Sequence, residues 1–216
     1  MEKKELIKIV HASILGDGFF YKVDQDNDKA NTHYMLKQSS EHLDYVTWMA
    51  SVLEELTRVR IDVREAYTDD RGYECSKQLI LKTMRHPTYK KMYNRMYDHI
   101  GNTHIKRLDP HYLKLIDWQS LAIMYMDDGW IEVDERKTME SYVRVGIATH
   151  ALSYFENMVL RDLLAERFNV HGEVTQHKMR SGKICYYLRF KKDNAKRLLD
   201  GVRPFVFDSF EYKVTF

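Results

Sequence analysis

Two stretches of this chain end an apolar, helix-like run in the same Asp-Gly step: Val10-His11-Ala12-Ser13-Ile14-Leu15-Gly16-Asp17-Gly18 and Leu121-Ala122-Ile123-Met124-Tyr125-Met126-Asp127-Asp128-Gly129. One such step is an ordinary helix stop, because Gly takes cap conformations readily and Asp is common beside turns. Two of them, each followed by an aromatic-rich strand pattern, mark a duplicated unit. Asp17 and Asp128 are 128 − 17 = 111 residues apart in a chain of 216. Each half therefore carries one acid at the same structural place.

The segments that follow repeat in the same order. After Gly18 the pattern predicts a strand at 19–24, a charged turn at 25–31, a strand at 32–39 and an amphipathic helix near 43–56. After Gly129 it predicts a strand at 130–133, a turn at 134–140, a strand at 142–149 and a helix at 153–168, where Tyr154, Met158, Leu160, Leu163, Leu164 and Phe168 recur at helical spacing. Two more strands follow in each half, 61–68 with 73–83 and 170–179 with 184–191, joined by turns at Gly72 and Gly182. A helix closes each half, at 86–99 with Pro87 in its first turn and at 193–202 with Pro204 as its stop. The expected fold is α+β: two pseudo-symmetric αββαββα domains with antiparallel sheets, residues 1–105 and 106–216, meeting through the two motif helices. The boundary falls in a short polar stretch near 101–110.

The 44% apolar content and the absence of any apolar run near ~20 residues fit a globular chain that does not span a membrane. The charged start, Met1-Glu2-Lys3-Lys4-Glu5, shows no signal-peptide pattern. Cys75 and Cys185 are 110 residues apart, close to the repeat offset, so duplication accounts for them better than a disulfide or a metal site does. A reducing intracellular setting is expected, in a phage or bacterial cell or an organelle.

With 34 Lys and Arg against 32 Asp and Glu, the net charge of +2 does not by itself announce a nucleic-acid binder. Distribution says more. Period-two alternation in 73–82 and 186–191 puts long polar side chains on one sheet face, with the acids gathered on helices and turns. The candidates for gripping DNA are Lys22, His33, Lys37, Arg64, Lys77 and Lys82 in the first half. Those in the second are Arg144, His177, Arg180, Lys183, Arg189 and Lys191. A merely solvated face of two half-exposed sheets is the competing account.

If the motif helices pack side by side, small residues such as Ala12 and Gly16 allow close approach, and Asp17 converges with Asp128 at two negative helix ends. Such a pair needs cations between its members, and oxygen ligands favour Mg²⁺, with Mn²⁺ as substitute, over zinc. Near a phosphodiester this suggests in-line hydrolysis, one metal activating water and another stabilising the leaving 3′ oxygen.

The two nine-residue stretches and the segment order resemble the LAGLIDADG homing endonucleases, in particular the single-chain kind with two motif copies. The second copy matches that pattern at its first two and last two positions. The first keeps the apolar helix and the terminal Asp17-Gly18 but has Val10, His11 and Ser13 where the pattern has Leu, Ala and Leu. The likeness extends over nearly the whole chain. It implies a site-specific endonuclease that acts as a monomer on long, asymmetric double-stranded DNA, cutting across the minor groove to leave short 3′ overhangs, in the service of intron homing. It implies that Asp17 and Asp128 hold the metals, with the backbone carbonyls of Gly16 and Asp127 facing them. It also implies a basic residue in each half, for which Lys106 and Lys213 stand at nearly equal distances from the acids, 106 − 17 = 89 and 213 − 128 = 85 residues; Arg107 could substitute for Lys106. Gln38 is a candidate for ordering active-site water.

Asp127 has Gly16 as its counterpart, which excludes a symmetric chemical role for its side chain. His11, two turns from the helix end, reads as an interface or core histidine, and the 10 histidines show no HxH, HExxH or Cys-His spacing of a zinc site. The alternative function is an RNA maturase that binds intron RNA on the same fold, which has no need of the acids. The start at Met1 with no flanking splicing domain weighs against an intein, while the sequence leaves free-standing, intron and intein settings open.

Overall fold

The computed structural model describes residues 1–22, 32–70, 72–100, 103–133 and 143–215. At its centre lie α1 (Lys3–Leu15) and, from the other half, α5 (Trp118–Asp128). Residues 8–15 of α1 and 120–126 of α5 are buried without interruption, as expected of helices with neighbours all round. The two run parallel. Lys8 reaches Asp117, the N-cap of α5, at 2.6 Å, while at the far end Gly16 packs against Asp127. Both C-terminal ends therefore emerge on one side of the molecule.

Each helix leads into a four-stranded antiparallel sheet. In the first half these strands are β1 (Phe19–Tyr21), β2 (His33–Ser39), β3 (Val59–Arg64) and β6 (Gln78–Thr83), in the order β1-β2-β6-β3. In the second they are β9 (Gly129–Val133), β10 (Val143–Ile147), β11 (Glu173–Lys178) and β12 (Ile184–Lys191), in the order β9-β10-β12-β11. The duplication holds to the residue. The pair Phe19–Met35, shifted by 111, lands on the observed pair Trp130–Gly146. Beyond the second helix the offset falls to 107: Met35–Lys82 corresponds to Gly146–Arg189, and 82 + 107 = 189. Helices α2 (Leu43–Glu54) and α3 (Pro87–Met96), and α6 (Tyr154–Phe168) and α7 (Lys192–Val202), lie between and after the strands, so the αββαββα order of both halves stands. The short α4 (Pro110–Leu113) precedes α5. Ser153 caps α6 in a reciprocal capping box with Glu156. Gly72 and Gly182 turn the hairpins with φ of +82° and +84°, a region that disfavours residues with a Cβ.

Several expectations need correction. The helix expected at 86–99 stops at Met96, because Tyr97 turns extended at φ −131° and opens a hairpin of β7 (Tyr97–Ile100) and β8 (Thr103–Lys106). Tyr97 stacks on Tyr93 and its hydroxyl accepts the Phe20 N–H at 3.3 Å, which rewards leaving the helix. The strand expected at 73–83 breaks: β5 (Glu74–Cys75) pairs with β4 (Tyr67–Thr68) in a side ladder, and the Lys77 carbonyl turns to accept from Ser40 N–H at 3.0 Å. Cys75 therefore sits on that ladder and Cys185 in the main sheet, not at matching positions; both are free thiols. On α6 the buried face is narrower than the spacing suggests, since Leu160 and Leu164 are buried but Tyr154 is 44% exposed. The strand expected at 170–179 is confined to β11. The turns expected at 25–31 and 134–140, the strand end at 23–24, Tyr142 and Gly101 lie outside the described residues. No helix among the described residues is long and apolar enough to cross a membrane.

Candidate active site and nucleic-acid interface

The two helix ends are built to close quickly and leave an acid standing. The Gly18 N–H donates to Ser13 O at 2.8 Å, and the Gly129 N–H donates to Tyr125 O. A Cβ on Gly18 would lie 2.6 Å from Ser13 Oγ, and one on Gly129 would lie 2.3 Å from Tyr125 O, so neither turn admits a larger residue without movement. Asp17 thus projects one residue beyond Gly16, the C-cap of α1, and Asp128 is the last residue of α5.

Asp17 keeps access to solvent at the rim, while Asp128 and Asp127 are half-buried. The Asp17 carboxyl is raised above the usual carboxylate range by partial desolvation, opposed by the bond from Gln38 and by Lys106 and Lys213. The Asp128 carboxyl is pushed up to about 6, first by burial and then by the charge of Asp17, again opposed by both lysines. Burial and the Asp17 charge also raise Asp127 well above its ordinary value. Lys106 Nζ donates to Gly16 O at 2.8 Å, and Lys213 Nζ donates to Met126 O at 2.6 Å and faces Asp127 O at 3.5 Å. Each ammonium thereby covers orphan carbonyls at the end of one motif helix, Lys106 on α1 and Lys213 on α5. Burial lowers both lysine pKa values, and the three acids pull them back up.

The two lysines arrive by different routes. Lys106 ends β8, the second strand of the hairpin that follows α3. Lys213 ends a 3₁₀ segment, Asp208–Lys213, that crosses to the first half. There Ser209 Oγ donates to Asp44 Oδ1 at 2.6 Å, and Phe210 stacks on His42 with centroids 3.7 Å apart. Gln38, buried on β2, donates from Nε2 to Asp17 Oδ2 at 2.8 Å and to Asp127 Oδ1 at 3.0 Å. The Asp127 side chain is the residue that sequence reasoning underrated: its carboxyl lies in the site, and the Gly16 and Asp127 carbonyls expected to face a metal are each shared with a lysine. His11 is fully buried against Tyr112, 5.4 Å between ring centroids, away from this chemistry.

The raised Asp128 acid has a thermodynamic consequence. The folded chain holds this proton more tightly than the unfolded one, so its contribution to stability is complete below the unfolded pKa and is lost as pH rises through about 6. Asparagine stays neutral. Asp128→Asn is therefore expected to melt above the wild type in metal-free buffer at about pH 7, by roughly 2–4 °C for each kcal/mol of repulsion and desolvation relieved. The gap should close at about pH 4. Calorimetric melts in EDTA at both pH values test this; a variant no more stable than wild type at the higher pH refutes it.

Strand register separates the two faces of each sheet. On the first, Phe20, Tyr34, Leu36, Leu79 and Leu81 point to the core. The opposite parity places His33, Lys37, Lys82 and Arg64 on the open face, joined by Arg60, Phe19 and Tyr21. On the second sheet the open face holds Arg144, Arg189, Lys191 and His177, with Trp130 and Tyr187. A Cβ on Gly146 would lie 2.3 Å from the Trp130 ring, so this glycine lets the indole lie flat on its neighbour strand. Lys22 does not join the face: it has the parity of Phe20 and is only 9% exposed. Lys77 stands off the strand, paired with Glu65 at 3.0 Å, and Arg180 and Lys183 are exposed at the second hairpin. The acids are not confined to helices and turns. Asp62 pairs with Lys82 and Arg60, Glu132 with Arg144, and Glu173 with Arg189 and Lys191, all on the open faces.

Residues 7–198 match the sequence profile described as the LAGLIDADG DNA endonuclease family. Among curated proteins, the chain is 25% identical over 214 residues to Protein RecA of Mycolicibacterium flavescens, across 96% of this chain and 45% of that one. It thus spans less than half the length of that relative. Of solved structures, the homing endonuclease I-WcaI bound to its DNA recognition sequence superposes with a TM-score of 0.77 at 19% identity, over 100% of this chain and 89% of that one. I-DmoI in complex with DNA and Mn gives 0.56 at 14% identity, over 92% and 96% of the two chains. The meganuclease I-SmaMI bound to uncleaveable DNA gives 0.56 at 9% identity, over 96% and 86%. These likenesses are of fold.

Proposed function

Because this chain belongs to the LAGLIDADG DNA endonuclease family, we propose that it is a site-specific endonuclease that makes a double-strand break with short 3′ overhangs in a long, asymmetric DNA target. The observation that carries this reading is the meeting of Asp17, Asp128, Lys106 and Lys213 at the parallel ends of two helices, between two open, cation-bearing sheets. The two halves, divided at 105/106, would each serve one strand.

Mg²⁺, with Mn²⁺ as substitute, fits the all-oxygen donors Asp17 and Asp128, two carboxyls whose pKa values partial burial raises and, at Asp128, the charge of Asp17 raises further. Among the described residues no three His, Cys, Asp or Glu side chains gather to enclose a metal ion, so the remaining ligands would be phosphate oxygens and water. The bound ion supplies Lewis acidity and a more acidic water. The chain's own residues do the rest. The carboxylates fix where the scissile phosphate is attacked, and the Lys106 and Lys213 ammonium groups neutralise charge that builds up on it. Gln38 orients Asp17 and any water beside it. Purified protein incubated with a randomised duplex library tests the reading: recovered products should share one long site, cut in Mg²⁺ and uncut in Ca²⁺ or EDTA. Absence of any cut species in Mg²⁺ or Mn²⁺ overturns it.

Two fused halves with different face residues, for example Lys37 where the repeat places Ala148, supply pseudo-symmetry within one chain, so the protein should act as a monomer. Sedimentation of the protein with its selected duplex should give a 1:1 complex. Intron RNA remains a proposed secondary partner; no geometric observation favours a purely RNA-binding maturase.

A further inference from the structure

The two acids that define the site are held unequally. Asp127 fills the space that Gly16 leaves open on the facing helix: a Cβ on Gly16 would lie 2.5 Å from both Asp127 Cβ and Oδ2. From there its Oδ2 accepts the Asp17 backbone N–H at 3.2 Å and its Oδ1 accepts Gln38 Nε2 at 3.0 Å, while the same Gln38 nitrogen donates to Asp17 Oδ2 at 2.8 Å. Asp17 is thus tied through both its main chain and its carboxylate to one rigid unit. The Tyr45 hydroxyl, buried and without a hydrogen bond of ordinary length, is turned toward the same Asp127 carboxyl.

The repeat supplies no such unit for Asp128. Its neighbour across the pseudo-twofold, 127 − 111 = 16, is a glycine, and the counterpart of Gln38, 38 + 111 = 149, is Thr149. Thr149 is 3% exposed, and its Oγ1 donates to Asn157 Oδ1 inside the core. Among the described residues no side chain donates a hydrogen bond to the Asp128 carboxylate. One centre is braced and the other is not.

We propose that the Asp127 side chain is a positioning residue for the cleavage centre at Asp17, acting through the Asp17 main chain and Gln38, and that it supports the cutting of one DNA strand only. This rests on the endonuclease reading above. A residue that merely stabilises the helix interface would slow both strands alike, because both centres hang from the same pair of helices.

The test uses the full chain and a duplex selected from the randomised library by the wild-type protein, with each strand labelled at a different end. Asp127→Ala should slow one strand about 10-fold or more, the scale of losing a hydrogen bond that orients a reacting group, and leave the other within about threefold. Nicked duplex should then accumulate. Gln38→Ala should slow the same strand, and Asp127→Asn, which keeps an oxygen to accept the Asp17 N–H, should fall between Asp127→Ala and wild type on that strand alone. Binding of the duplex in Ca²⁺, read by fluorescence anisotropy, should stay within about threefold of wild type, so the loss appears in turnover and not in affinity. Equal slowing of both strands overturns the proposal, as does slowing of opposite strands by Asp127→Ala and Gln38→Ala, or no slowing by either. Should Asp127→Ala fail to fold, Gln38→Ala and Asp127→Asn carry the same comparison. Failure of the wild type to cut any library member condemns the endonuclease reading instead, and is seen before any variant is made.

Discussion

Asparagine in place of Asp17, or in place of Asp128, is expected to abolish double-strand cleavage while specific DNA binding survives. Both carboxylates sit at the negative ends of the central helices, and the Asp128 acid already carries the mark of its neighbour's charge. An amide of the same shape keeps the packing but cannot hold a divalent cation as a carboxylate does, and the electrostatic stabilisation that such an ion gives, several kcal/mol, corresponds to a loss of about 10³-fold or more in rate. Affinity is another matter. Neither carboxylate stands on an open sheet face, and each repels phosphate, so removing one charge should leave binding unchanged or slightly tighter. The measurement is cleavage of the selected duplex in Mg²⁺ beside its dissociation constant in Ca²⁺. Wild-type cutting by either variant removes that acid from the mechanism, and a large loss of binding shows that the substitution has disturbed the interface of the halves.

What could be read from the chain alone, and what could not, divides by the range of the interaction. The paired motifs were legible because a helix stop needs only local residues, and the 111-residue offset that they define recurs in the observed strand pairing of Phe19–Met35 and Trp130–Gly146. Lys106 and Lys213 stood out because the family resemblance implies a basic residue in each half and their distances from the acids are nearly equal, although the elements carrying them, a strand and a 3₁₀ turn, were not legible. The β7–β8 hairpin was hidden because its reason lies far off in sequence: Tyr97 leaves the helix for Phe20, 77 residues away. The Asp127 carboxyl was discounted because Gly16 is its counterpart, yet that very glycine makes the room it occupies. Period-two alternation located the open faces but said nothing of the acids there, since the pairing of Glu173 with Arg189 depends on a register between strands that only the folded sheet fixes. Lys22 shows the converse error, a basic residue counted for its type whose parity buries it.

Affinity for DNA should collapse with salt, although the chain carries a net charge of only +2. If six or more phosphates are neutralised by the two open faces, binding weakens by about 10³-fold or more between roughly 50 and 200 mM salt. The cations concerned are not free in the protein alone: Arg189 and Lys191 share Glu173 at 3.0 and 2.9 Å, and Lys82 and Arg60 share Asp62. Phosphate must therefore replace a carboxylate, and each exposed pair is weak enough for that exchange. It follows that Arg189→Glu, which sets a new acid against Glu173, should weaken binding more than Lys77→Glu, whose partner Glu65 lies off the main sheet. Glu173→Gln should strengthen it. Reversal of the exposed helix acids Glu54 and Glu166 to lysine should change little, because those faces point away from the sheets' open side. Titrations on the selected duplex and on a scrambled one separate the two kinds of contact: a phosphate ligand weakens both alike, whereas a base reader weakens only the first. A flat response to salt, or equal effects from sheet and helix reversals, would show that DNA is held by some other surface.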